Sequence, residues 1–85
     1  MVITGSAILI RPGSADAVLE QLKKFPSVTF HVQSESGTEL IVNLEAEGLM
    51  ELENLCRELK DLMPDIIDIT HIYVNFEEEI EKPET

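Results

Sequence analysis

Two histidines, one cysteine and 17 carboxylates are the side chains of this 85-residue chain on which acid–base, nucleophilic or metal chemistry would draw. Their spacing supports none of it. His31 and His71 fall in the second and fourth of four strand-like segments. In the topology derived below these are opposite sheet edges, roughly three strand spacings or ~14 Å apart, so the imidazoles cannot share a metal. Cys56 stands on an apolar helical stripe with no companion cysteine, which reads as a packed thiol. Carboxylates this dense make near pairs unavoidable, so Glu45 with Glu47 and Glu51 with Glu58 read as solvated faces. Gly5, Gly13, Gly37 and Gly48 are scattered, and no glycine-rich phosphate loop exists. We expect no catalytic residue and no metal.

Composition narrows the partners. The formal net charge is −11, from 17 acidic and 6 basic residues. That opposes a phosphate-tracking nucleic-acid binder and an anionic membrane surface, and favours a cationic partner or simply solubility. One cysteine allows no internal disulfide. Val2–Ile10 is apolar but short, lacks a basic region before it and runs into Arg11-Pro12, unlike a signal peptide. No apolar stretch approaches the ~20 residues of a membrane helix. A cytoplasmic protein without membrane insertion is the expectation.

The elements follow from periodicity. Val2–Ile10 is rich in β-branched residues and closes at Arg11-Pro12-Gly13, a strand and a turn. Ser14 offers an N-cap to a helix whose stripe is Ala15, Val18, Leu19, Leu22 and Phe25, stopped by Pro26. Val28, Phe30 and Val32 alternate with Thr29, His31 and Gln33, a second strand. Glu35-Ser36-Gly37-Thr38 turns it into a third, with Leu40, Val42 and Leu44 on one face. Leu49, Leu52, Leu55, Cys56, Leu59, Leu62 and Met63 mark a second helix, ended by Pro64. Ile66–Phe76 is the last strand. We therefore expect one domain over residues 1–76 and an acidic, flexible tail over 77–85.

The order β-α-β-β-α-β, with right-handed crossovers, gives an α+β ferredoxin-like sandwich: a four-stranded antiparallel sheet with both helices on one face. That fold orders its strands fourth, first, third, second and leaves one sheet face open. Val28, Phe30, Val32, Leu40, Val42 and Leu44 should face the helices. Thr29, His31, Ile41 and Asn43 then line the open face, with Glu39 and Glu45 in phase with them. In the last strand Ile67, Ile69 and Tyr73 are placed inward, because Asp68 and Thr70 are poor core residues. Asp68, Thr70, Ile72 and Val74 then face outward. The first strand is ambiguous. Ile3, Gly5, Ala7 and Leu9 are small enough for close helix approach and are placed inward, leaving Thr4, Ser6, Ile8 and Ile10 outward. The resulting face has an apolar centre with a polar surround, the pattern of a docking surface.

Two relatives of this shape fit poorly. An acylphosphatase would need Arg11 and Asn43 as its arginine and asparagine, yet Arg11-Pro12-Gly13-Ser14 is one turn and no phosphate cradle. An RNA-recognition sheet needs paired exposed aromatics and a basic balance.

Phe25-Pro26, Gly37, Leu40-Ile41-Val42 with Glu45-Ala46-Glu47, and Tyr73 leading into Glu77-Glu78 occur together at set spacings from about Val2 to Glu79. In that combination the chain resembles the NapD family, the assembly chaperones of periplasmic nitrate reductase. The resemblance implies a cytoplasmic, non-catalytic protein without a cofactor. It implies binding of the twin-arginine signal peptide of a molybdenum-containing nitrate reductase, holding the precursor back from export until its cofactor is inserted. Such proteins dock the peptide on the sheet, which maps here to the open face. Ile8, Ile41 and Ile72 would receive its apolar part. Asp68, Glu39 and Glu45 would take the arginines, with Thr4, Ser6, Thr70 and Asn43 as neutral hydrogen-bonding groups. His71 and Val74 depart from the family pattern, where an aliphatic and a polar residue are expected. A small-molecule-sensing regulatory domain of the same fold is the alternative.

Overall fold

The computed structural model describes residues 1–76. The acidic tail expected over 77–85 lies outside the described residues. Six elements run in chain order: β1 (Val2–Ile10), α1 (Ala15–Leu22), β2 (Val28–Gln33), β3 (Glu39–Ala46), α2 (Leu49–Leu62) and β4 (Ile66–Phe76). The strands form one antiparallel sheet in the order β2-β3-β1-β4, the ferredoxin-like arrangement.

The local chemistry of the element ends is as expected with one exception, although α1 stops at Leu22, three residues before Phe25 of the expected stripe. Gly37 adopts φ +74° in the β2–β3 turn, the left-handed conformation that glycine reaches without a Cβ penalty. Pro26 and Pro64 stand beyond the ends of α1 and α2. The exception is Ser14. It precedes α1, but its hydroxyl donates back to the Arg11 carbonyl oxygen at 2.7 Å and leaves the helix amides alone.

Both helices pack on one sheet face. Ala15, Val18 and Leu22 of α1 and Leu52 and Leu59 of α2 meet Leu40, Val42 and Leu44 of β3 in a single core. From β1 the core takes Val2, Ile8 and Ile10. Thr4 and Ser6, in phase with them, are also fully buried. The facing expected for β1 is therefore inverted: Thr4, Ser6, Ile8 and Ile10 lie under the helices, and Ile3, Gly5, Ala7 and Leu9 are on the open side. The polarity of Thr4 and Ser6 argued for solvent, but Thr4 Oγ1 lies 2.9 Å from Ser6 Oγ and Ser6 Oγ lies 2.8 Å from His71 Nδ1. Hydroxyls that pair with each other can be buried at little cost.

Three irregularities reset the alternation elsewhere. On β2, Phe30 pairs with Val42 and Val32 with Ile41, so His31 is an extra residue and Val32 passes to the open face beside Ile41. On β4, Gly5 pairs with Tyr73 and Ser6 with His71, leaving Ile72 unpaired. Leu9 pairs with Asp68 and Ile10 with Ile66, leaving Ile67 unpaired. Asp68 and Thr70 thus face outward and Ile69 inward, as expected. Tyr73 comes out to the open face and Val74, opposite the buried Thr4, turns to the helix side, both contrary to expectation. Ile67, expected inward, is instead an exposed bulge residue.

Candidate functional site

Register places the open-face side chains in rows, since directly paired residues of adjacent strands share a face. One end row runs Glu39, Leu9, Asp68 across β3, β1 and β4. The next is Val32, Ile41, Ala7, Thr70 across all four strands. Then come Thr29, Asn43, Gly5, Tyr73, and finally Glu45, Ile3, Asn75. The face is thus an apolar band of Leu9, Ala7, Ile41, Val32 and Ile3 between carboxylates.

Its charge is of one sign. Glu39, Glu45 and Asp68 are exposed on it. Every Lys and Arg among the described residues lies elsewhere: Arg11 in the turn after β1, Lys23 and Lys24 after α1, Arg57 and Lys60 on α2. Arg11 is turned to Asp65, its Nε 3.8 Å from the carboxylate. The end row matters most, because Glu39 and Asp68 flank Leu9 from both sides with no cation between them. Among the described residues Asp68 accepts one hydrogen bond, at Oδ1 from the neighbouring Ile69 amide at 2.9 Å, which leaves its second oxygen for a donor such as a guanidinium.

Of the ten residues assigned to peptide binding from sequence, six stand together on this face: Glu39, Ile41, Asn43, Glu45, Asp68 and Thr70. Thr4, Ser6 and Ile8 do not. They are buried beneath the helices and cannot meet a peptide on the sheet. Ile72 is exposed but sits in the bulge without a register partner. The sequence reading missed Leu9, Ala7, Val32 and Tyr73. Tyr73 carried a usable signal: an aromatic ring crossing a neighbouring strand needs a residue without a side chain beneath it, and Gly5 is that residue.

The geometry leaves no place for the acylphosphatase pair. Asn43 is opposite Gly5, and six positions along β1, roughly 20 Å, separate Gly5 from Arg11. His31 and His71 lie on the two edge strands. Among the described residues no three of His, Cys, Asp and Glu are grouped to hold a metal ion. No helix among the described residues is long and apolar enough to cross a membrane. The model of the NapD family, described as NapD protein, matches residues 1–78. The chain belongs to the NapD family. Membership carries the general role of that family, a chaperone in the assembly of nitrate reductase. No curated protein sequence matches the chain.

Proposed function

We propose that this NapD-family protein works in the cytoplasm and docks the twin-arginine signal peptide of a nitrate reductase catalytic subunit on its open sheet face. Binding there withholds the precursor from export until the molybdenum cofactor is in place, and the protein itself catalyses nothing. The observation that carries the reading is the row Glu39–Leu9–Asp68, two exposed carboxylates across an apolar residue on a face without Lys or Arg among the described residues. Adjacent guanidinium groups of a peptide pair with two carboxylates by charge-assisted, bidentate hydrogen bonds. The apolar stretch beside the arginines then runs over Ala7, Ile41 and Val32, with Thr70 and Asn43 as neutral partners.

Calorimetric titration with the twin-arginine peptide tests this. Asp68→Asn and Glu39→Gln should each weaken binding by about tenfold, the scale of one charge-assisted contact. Asp61→Asn, on α2, should leave it unchanged. Equal affinity in all three variants would remove the carboxylate row from the site. The small-molecule-sensing alternative rests on a different feature, a groove of about 580 Å³ between α1 and β2 lined by Leu19, Leu22, Val28 and Phe30. A melting shift with amino acids that is lost when the groove is filled would favour it.

A further inference from the structure

Thr4, Ser6 and His71 form one hydrogen-bonded chain from the core to the surface, with links of 2.9 and 2.8 Å. Its direction can be worked out. Each hydroxyl has one hydrogen to give, and both hydroxyls are fully buried. If Thr4 donates to Ser6, and Ser6 donates to His71 Nδ1, both hydrogens are used. In the opposite sense the Thr4 hydrogen has no acceptor among the described residues, a costly state for a buried group. The relay therefore makes Nδ1 an acceptor, and the neutral ring carries its proton on Nε2.

His71 lines a cleft of about 240 Å³ between α2 and β4, together with Glu53, Cys56, Arg57, Lys60 and Ile69. Three residues that can donate line it: His71, Arg57 and Lys60. Arg57 commits Nη1 to Asn54 Oδ1 at 3.1 Å and has further N–H groups to offer. Lys60 has no ion-pair partner among the described residues. Glu53 is the one opposing charge. In a chain of net charge −11 with five Lys and Arg among its described residues, two of the five stand at this one cleft. The cleft lies on the helix side, away from the acidic face, so it is independent of the peptide reading.

We propose that the α2–β4 cleft is an anion site that holds a phosphate group through Lys60, Arg57 and the Nε2–H of His71. Pockets for drug-sized ligands hold about 300–1,000 Å³. This one is smaller, which suits a single oxoanion, either free or the terminal group of a small monoester, and not a nucleotide.

Nitrogen-detected NMR of the full chain at mildly alkaline pH tests the proposal. The spectrum should show the Nε2–H tautomer of His71. Inorganic phosphate should give saturating shifts at His71, Lys60 and Cys56, and Lys60→Gln and Arg57→Gln should each weaken it by about threefold to tenfold. Glycerol phosphate added in parallel separates a free-anion site from one that takes the monoester. An Nδ1–H tautomer would overturn the proposal. So would phosphate shifts that grow without saturation, or that sodium chloride at equal ionic strength reproduces.

Discussion

The ring of Tyr73 on β4 lies across Gly5 of β1, and its hydroxyl reaches to 3.5 Å from Asn43 Oδ1 on β3. One side chain thus spans three strands of the open face. A Cβ at position 5 would collide with the ring. We expect Gly5→Ala to destabilise the fold by about 1–3 kcal/mol through displacement of Tyr73. Tyr73→Ala in the same chain should recover much of that loss. Urea denaturation of the single and double variants measures the coupling, and strictly additive effects would show that the ring is free to move away.

The buried relay gives an asymmetric expectation. Ser6→Ala removes the middle link and leaves the Thr4 hydroxyl and His71 Nδ1 without their partner. It should cost about 1–3 kcal/mol. Thr4→Val removes the end link, keeps the side-chain shape and leaves Ser6 bonded to His71. Its cost should be the smaller of the two. Chemical denaturation of both variants checks the order, and a reversed order would contradict the relay.

These two features also explain which parts of the molecule were readable from its sequence. The element order, the hairpin at Gly37 and the inward face of β3 followed from periodicity, because Leu40, Val42 and Leu44 alternate without interruption. β1 misled. Judged singly, Thr4 and Ser6 are polar and belong outside. Judged with His71, 65 positions beyond Ser6, they satisfy one another inside. The smallness of Gly5 and Ala7 suggested close helix approach, when at Gly5 it makes room for Tyr73. In β2 and β4 the extra residues His31, Ile67 and Ile72 each shift the alternation by one position, which exchanges faces downstream. For the candidate site, the facing of Glu39, Glu45 and Ile41 was legible because β3 is regular, and that of Asp68 because a carboxylate is a poor core residue. Leu9 and Tyr73 were not, because their facing depends on pairing between distant segments, and Val32 was not because the extra residue His31 turns it over.

Cys56 supplies a pH test. Burial of the half-buried thiol pushes it above its ordinary value, an effect offset in part by Lys60 and reinforced by Glu53. The sign is fixed by which state loses its proton first. Below the ordinary thiol value, about 8.5, both folded and unfolded chains keep the thiol protonated and stability is insensitive to it. As the pH rises past that value the unfolded chain ionises first, so the fold loses stability. Cys56→Ala should remove that slope. Denaturation midpoints on either side of the ordinary value, compared between the two proteins, measure it. At neutral pH alkylation of Cys56 should be slower in the folded chain than in urea.

The central claim is that the open face, and not the helix face, receives a twin-arginine peptide. Methyl NMR addresses it directly, because the two faces carry different methyl groups of the same strands. Titration with the signal peptide of a nitrate reductase should shift Ala7, Leu9, Ile41, Val32 and Thr70, and leave Ile8, Val42, Leu44 and Leu59 close to their free positions. A scrambled peptide of equal charge should do neither. Shifts concentrated on α1 and α2, or the same shifts with the scrambled peptide, would contradict the account.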